Sequence, residues 1–301
     1  MQFSEDILQQ FEKGLDPQRP ERSEIPAVVV GFGEISSIFK INPYDDWVFK
    51  RMPLFDKETE AKQYAENYSV YTSKLKEAGL RLPKDFIRIV SSKKVVLYIA
   101  QEAFDQTCLC QNKLHSLSHD EVIKMLEMIF TDIKKVFIFN EKNHPETELS
   151  IDGQISNWAL KDDQLYYFDT STPLFKLKNT EQLDPELLLN STPKALRWII
   201  RKFFLQEVMD RYYNIRLVFI DVIANLYKEQ KPDLIDETID LANKYLPEKI
   251  KSITRKEIDK YYAEDKFIWQ LFLTLRRMDR WITTRVMHKT YEFILPGKIK
   301  R

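Results

Sequence analysis

The stretch AVVVGFGEISSIFKINPYDDWVFKRMPLF, residues 27–55, determines the predicted fold of this 301-residue chain. Its β-branched and aromatic residues are typical of strands, and NPYDD has the composition of a turn. Two strands meet near Gly31-Phe32-Gly33, and WVFKRMPLF forms a third after the turn. The stretch therefore predicts three antiparallel strands.

A helix and two further strands follow this stretch. Between about Lys57 and Ala78 the side chains recur at intervals of three and four, which is a helical pattern, and Gly79 is suited to end the helix. FIRIVSSKKVVLYIAQEAF then predicts two strands around an SSKK turn. Five strands with one helix inserted after the third occupy residues 25–104, and the predicted class is α+β.

The regions on either side complete the predicted domain organisation. Residues 1–24 are predicted to form a helix from Ser4 to Gly14 and a proline-rich linker too polar to pack. Residues 105–301 are predicted to be largely helical. They contain a capping box of Ser118 with Glu121, and the prolines near which helices break are Pro193, Pro232 and Pro247.

Composition excludes several functional classes. Lys plus Arg (46) equals Asp plus Glu (46), so the charge gives no attraction toward nucleic acid. Cys108 and Cys110 have no second pair, which disfavours a structural metal site. The N-terminus lacks the pattern of a signal peptide, and the longest apolar region, from Ile215 to Tyr227, is too short to cross a membrane and carries Asp221. We therefore expect a cytoplasmic protein that binds no nucleic acid and has no transmembrane segment.

Two features of the predicted sheet suggest a site for phosphate groups. Gly31, Phe32 and Gly33 lie between two strands, where glycines allow the backbone to approach phosphates closely. Lys50 ends an apolar run on the third strand and is a candidate cation for the same phosphates. Taken singly, the glycines also fit an ordinary hairpin turn, and Lys50 also fits a solvent-facing strand residue.

A lysine that binds phosphate is usually held by a carboxylate on the neighbouring helix. Glu60 shares the helical face of Tyr64, Tyr68 and Tyr71, and we predict that it pairs with Lys50. Glu66 lies on the opposite face, although its sequence separation from Lys50 is more usual for such pairs.

The segment ELSIDGQISNWALKDDQLYYFDTSTPLF, residues 148–175, contains the candidate catalytic loop. A short hairpin, WAL and LYYF around KDDQ, returns Asp169 to the place where Asn157 lies. Both side chains offer the oxygen ligands that Mg²⁺ prefers, so Asn157 and Asp169 are the predicted metal ligands. Asp152, in a loop freed by Gly153, is the predicted acceptor of a hydroxyl proton.

The order of these motifs resembles the protein-kinase-like fold over residues 25–175. The helical remainder is similar to the small-molecule branch, such as aminoglycoside phosphotransferases and choline kinases, rather than to protein kinases. The resemblance implies a two-lobed enzyme, with an N-lobe at residues 25–104, a C-lobe at 105–301, and ATP with Mg²⁺ in the cleft. It also implies that YIAQEAF is the hinge and that the backbone of Glu102 and Phe104 binds adenine.

The sequence departs from the kinase pattern in three respects, one of which is that nothing resembles the Ala-Pro-Glu that anchors the activation segment of protein kinases. Ser150-Ile151 replaces the His or Arg that usually precedes the catalytic Asp, and Thr170-Ser171 replaces the Phe-Gly after the metal-binding Asp. These departures argue against protein substrates. We therefore expect an ATP-dependent phosphotransferase acting on a hydroxyl of a small molecule. The alternatives are a nucleotide-binding pseudokinase that serves as a regulatory or interaction module, and a helical interaction protein with no nucleotide site.

Overall fold

Five antiparallel strands followed by helices build an α+β protein, and this coarse prediction is confirmed. The structure, a computed structural model, describes residues 5–17, 19–32, 36–42, 44–91, 94–184, 187, 206–289 and 291. Ser4, Gly33 and Pro193, which the sequence analysis singled out, lie outside the described residues. None of the helices in these ranges is both long and apolar enough to cross a membrane.

The large sheet has the strand order β1-β2-β3-β5-β4, and all its pairings are antiparallel. The single helix α2, Glu58–Glu77, follows β3, as predicted, and Gly79 follows it with a φ of +97°. The strands are β1 (Ala27–Phe32), β2 (Ser37–Ile41), β3 (Trp47–Phe55), β4 (Asp85–Ser91) and β5 (Val95–Glu102).

The two faces of the sheet are covered by different helices, because successive strand residues point to opposite faces. Helix α1, Glu5–Gly14, places Leu8 and Phe11 in one cluster with Phe39, Phe49 and Tyr98, among others, on the outer face. On the inner face α2 contributes Tyr64 and Tyr68 to a cluster with Met52, Leu97 and Ile99. The sheet is thus the middle layer between α1 and α2.

A buried ion pair joins α1 to the outer face. Glu12 accepts hydrogen bonds from Arg51 Nε at 2.8 Å and Nη2 at 2.7 Å, and it also accepts one from the Tyr98 hydroxyl. The Arg51 side chain is only 2% exposed. The linker after α1 also packs, since Pro20 and Ser23 are buried, so the prediction of an unpacked linker is wrong. Within it, Ser23 Oγ accepts a hydrogen bond from the Asp16 N–H at 2.9 Å.

The described residues after β5 are mainly helical, and many of them pack around one large core. Ser118 and Glu121 form the predicted capping box of α4. The predicted hairpin of β7 and β8 is also present, and its turn residues Asp162 and Asp163 have positive φ, as a two-residue hairpin turn requires. The elements are α3 (Cys110–Ser116), α4 (His119–Asn143), β6 (Thr147–Leu149), β7 (Trp158–Lys161), β8 (Gln164–Tyr167), β9 (Phe175–Leu177), β10 (Thr180–Glu181), α5 (Gln206–Arg211), α6 (Ile215–Lys228), α7 (Ile235–Tyr245) and α8 (Arg255–Trp281).

Candidate functional site

Lys50 connects the sheet to the loop that follows β8. Its ammonium lies 3.1 Å from Asp169 Oδ1 and donates to the carbonyl oxygen of Phe168 at 3.2 Å. The lysine side chain is only 4% exposed, so it points inward rather than to solvent. Asp169 Oδ1 also accepts a hydrogen bond from Ser171 Oγ at 3.1 Å. The structure therefore brings together two residues that are 119 positions apart in the sequence.

Asp152 and Asn157 form a compact loop beside Asp169. Asn157 Nδ2 donates to the Asp152 carbonyl oxygen at 3.3 Å, and Asp152 Oδ1 accepts the Gln154 N–H at 3.1 Å. The Phe168 N–H donates to the Asn157 carbonyl oxygen at 3.0 Å, which ties this loop to the segment that carries Asp169. Four of the predicted site residues therefore belong to one hydrogen-bonded unit: Lys50, Asp152, Asn157 and Asp169.

The Asp152 carboxyl lies in an environment that disfavours its charge. Burial is the largest cause that raises its pKa well above the ordinary value, and the carboxylates of Asp221 and Asp169 raise it further. The backbone hydrogen bond from Gln154 and the ammonium of Lys228 act in the opposite direction. A carboxyl with a raised pKa between two other acids is a candidate proton acceptor.

Helix α6 packs against the Asp152 loop and holds it by hydrogen bonds. Asn225 Oδ1 accepts the Ile155 N–H at 2.8 Å, and Lys228 Nζ donates to Gln154 Oε1 at 3.3 Å. Gly153 packs so closely on this helix that an added Cβ would lie 2.8 Å from both Val218 Cγ1 and Val222 Cγ2. The loop thus needs glycine at this position for close packing on α6.

Sequence reasoning missed the contributions of Asp221, Asn225 and Lys228. A signal for Asp221 was present, because it is an ionisable residue within the most apolar of the described helices, where a charge is unusual. Asp221 accepts a hydrogen bond from the Tyr261 hydroxyl at 3.0 Å, and burial is the main cause that raises its pKa.

The predicted pairing of Glu60 with Lys50 is wrong. Glu60 Oε2 instead accepts the N–H groups of Asp56 and Lys57 at 3.1 and 3.3 Å, so it caps the N-terminus of α2. The free N–H groups of a first helical turn attract a carboxylate at this position. Glu66 is exposed on the outer side of α2, which excludes it as the alternative. Lys50 has Asp169 as its carboxylate partner.

The glycine-rich segment lies partly within the described residues. Gly31 is in β1 beside a register shift between Val29 and Gly31, and an added Cβ would lie 3.1 Å from Ile38 Cδ1. The Ile38 side chain would have to shift slightly to admit a larger residue at this position. Phe32 ends β1, and Gly33 lies outside the described residues.

The predicted adenine-binding segment follows β5. The Glu102 N–H already donates to the Lys84 carbonyl oxygen at 2.8 Å, so a ligand contact from Glu102 would use its carbonyl. The Phe104 N–H takes part in none of the hydrogen bonds among the described residues. The Phe104 ring packs against Tyr166 and Phe168, with centroid distances of 5.3 and 6.0 Å. These ring contacts hold the segment against the β7–β8 hairpin, which lies between the two candidate metal ligands in the sequence.

The side chains of Asn157 and Asp169 each present an oxygen of the kind that Mg²⁺ prefers. Because Asn157 Nδ2 is used within the loop, its Oδ1 remains as a possible ligand. Asp169 Oδ2 accepts no hydrogen bond from the described residues, and the side chain is 39% exposed. The described part of the chain contains no group of three or more His, Cys, Asp or Glu residues able to hold a metal. A Mg²⁺ ion here would need further oxygens from water or phosphate, as is usual for this ion.

Replacing Asp152 by Asn is expected to stabilise the protein near neutral pH by about 0.5–2 kcal/mol. The pKa of Asp152 is higher in the folded state than its ordinary value of 3.8. The contribution of Asp152 to stability is therefore fully present below pH 3.8, where the carboxyl is protonated, and it is lost as the pH rises through the folded-state pKa. Asn stays neutral, so the gain should grow from mild acid toward alkaline pH. Urea unfolding across this range checks it, with exposed Asp240→Asn on α7 as control. A gain that shrinks with rising pH would contradict the assignment.

Comparison with known proteins gives one family. The sequence profile described as "Family of unknown function (DUF6206)" matches residues 40–280. This range begins within β2, includes Lys50, Asp152, Asn157 and Asp169, and ends within α8. No curated protein matches the chain.

Proposed function

We propose that this chain, which belongs to the family of unknown function DUF6206, is an ATP-dependent phosphotransferase acting on a hydroxyl group of a small molecule. The observation that carries the proposal is the contact of Lys50 with Asp169, in a segment bonded to the Asp152–Asn157 loop. A cation, two oxygen ligands and a proton acceptor are the parts that phosphoryl transfer requires.

The architecture assigned to this function is a two-lobed protein-kinase-like fold of the small-molecule branch. Its support is the five-stranded antiparallel sheet with one helix after β3, followed by helices around the Asp152 loop. ATP would bind between the sheet and this loop. Lys50 and the Gly31 region would face its phosphates, and the Glu102 carbonyl and Phe104 N–H would bind adenine.

The residues of the site have separate roles in the proposed reaction. Lys50 neutralises phosphate charge, and Asn157 and Asp169 hold magnesium. When bound, the metal ion neutralises charge on the phosphate oxygens. Asp152 accepts the proton of the attacking hydroxyl, and its raised pKa makes its carboxylate a stronger proton acceptor than an ordinary one. The ammonium of Lys228 acts against this rise in the pKa of Asp152.

A second candidate function is a nucleotide-binding protein without turnover, which would act as a regulatory module. The observation that favours it is the position of Glu60, which caps α2 and leaves Lys50 without a carboxylate from that helix. Thermal-shift titration with Mg-ATP tests for binding, since a ligand of the folded state raises the unfolding temperature. Measuring ATP turnover with a pool of small-molecule alcohols, sugars and nucleosides then separates the two functions. Absence of any shift would reject both.

Replacing Lys50 by Met should weaken Mg-ATP binding about tenfold or more, because the variant keeps the buried stem but removes the charge near the phosphates. Isothermal titration calorimetry with Mg-ATP measures the change. Exposed Lys161→Met, on β7, is the matched control and should bind like the wild type. Equal affinities in the Lys50 variant and the wild type would exclude this role for Lys50.

A further inference from the structure

Helix α2 presents three tyrosines to the loops that carry the two candidate catalytic carboxylates. Tyr64, Tyr68 and Tyr71 are spaced by four and three residues, so they lie on one helical face, and each is only 2% exposed. Burial is the largest cause that raises the pKa of all three, and they therefore remain neutral hydrogen-bond donors. In the sequence these tyrosines indicated which face of the helix is buried, and the pattern predicted no other role for them.

The three hydroxyl groups bind backbone or side-chain groups close to Asp152 and Asp169. Tyr71 donates to the Ser150 carbonyl oxygen at 2.9 Å, two residues before Asp152. Tyr64 donates to the Ser171 carbonyl oxygen at 2.6 Å, two residues after Asp169. One rigid helix therefore holds a fixed point in each of the two loops.

Tyr68, between the other two tyrosines, reinforces the second loop. Its hydroxyl lies 3.1 Å from Thr170 Oγ1 and also bonds to the Asp85 carboxylate on β4. Thr170 Oγ1 in turn accepts a hydrogen bond from Gln101 Nε2, at 3.0 Å. Thr170 and Ser171 are the residues that depart from the kinase pattern. The Thr170 hydroxyl bonds to Gln101 of β5 and to Tyr68 of α2, and the Ser171 carbonyl oxygen bonds to Tyr64 of α2.

We propose that Tyr64 and Tyr71 are positioning residues that set the placement of Asp169 relative to Asp152. The inference rests on the proposed function. A carboxylate on α2 was expected to connect this helix with the site, and two neutral hydroxyl groups make the connection instead. A loop freed by loss of one hydroxyl would sample positions in which phosphate, metal and base are misaligned, and displacement of about 1 Å is enough to slow chemistry about a hundredfold.

The test uses Tyr64→Phe and Tyr71→Phe, which keep the buried rings and remove only the hydroxyl groups. In hydrogen–deuterium exchange without ligand, Tyr71→Phe should raise exchange in residues 150–157 roughly tenfold, and Tyr64→Phe should do so in residues 169–174. The control is Tyr245→Phe on α7, whose hydroxyl donates to Glu127 at 2.6 Å, and it should leave both segments unchanged.

Kinetics provide the second measurement. With Mg-ATP, each of the two variants should lower kcat about 10- to 100-fold while the KM for ATP stays nearly constant, since positioning acts on the reacting groups rather than on binding. A rise in KM alone, or exchange that increases uniformly along the chain, would overturn the inference. If the wild type neither binds nor turns over Mg-ATP, the proposed function fails. In that case the exchange measurement still tests the tyrosines. Unchanged exchange in both loops would reject their positioning role, and increased exchange confined to the loop that each tyrosine contacts would support it.

Discussion

Turnover of Mg-ATP by the Asp152→Asn variant is expected to fall by roughly two to four orders of magnitude, the range for loss of a general base. Asn has nearly the shape of Asp, and its side-chain oxygen can still accept the Gln154 N–H, which now bonds to Asp152 Oδ1 at 3.1 Å. The loop should therefore keep its conformation. Affinity for Mg-ATP should change little, because the lost group is used only when the hydroxyl proton is transferred.

The matched comparison for this prediction is Asp169→Asn. Asp169 contacts Lys50 directly and is a candidate metal ligand, so its replacement should weaken magnesium-dependent binding as well as turnover. Calorimetry with and without magnesium, together with single-turnover rates, separates the two variants. Loss of Mg-ATP affinity in Asp152→Asn as large as that in Asp169→Asn would show that the division of roles is wrong.

Replacing Glu12 by Ala is expected to lower the free energy of unfolding by about 3–5 kcal/mol. The change removes the carboxylate that receives two hydrogen bonds from Arg51, and the guanidinium stays buried after losing both of them. The Tyr98 hydroxyl loses the same acceptor. Denaturant unfolding at constant pH measures the effect, which is a large fraction of the stability of a typical domain.

Two further variants show whether the buried charge is the cause. Gln10→Ala, on an exposed position of α1, should change stability by no more than about 0.5 kcal/mol. The double replacement Glu12→Leu with Arg51→Met removes both charges and should recover much of the lost stability, because apolar residues of similar size often replace a buried ion pair without net cost. A double variant as unstable as Glu12→Ala would point to packing of α1 instead.

The strands and α2 were predictable because their signals are local. Runs of β-branched and aromatic residues mark β1 to β5, and the recurrence of Tyr64, Tyr68 and Tyr71 marks the buried face of α2. The pattern predicts which helical face a residue lies on, but it does not predict where the charged end of a flexible side chain points. Glu60 lies on the expected face, yet its carboxylate turns back to the free N–H groups of the first turn.

The support of the site was not predictable, because it depends on contacts between distant segments. Asp152, Asn157 and Asp169 were found from their spacing around a hairpin, whereas Asn225 and Lys228 have no local feature that connects them with the loop they hold. The same applies to α1. Its amphipathic pattern indicates a helix with one buried face, but the pattern does not identify the outer face of the sheet as the surface it covers.

The contacts between the sheet, α2 and the two loops also bear on the order in which the chain folds. The β1–β2 and β2–β3 hairpins join neighbouring segments, and contacts of this kind form early. The bonds of Lys50 to Asp169, Tyr64 to Ser171 and Tyr71 to Ser150 span 119, 107 and 79 residues. Contacts over such distances form late, because closing long loops costs conformational entropy first. A partly folded chain would thus keep the sheet and lack the site, so recovery of nucleotide binding during refolding would report complete assembly.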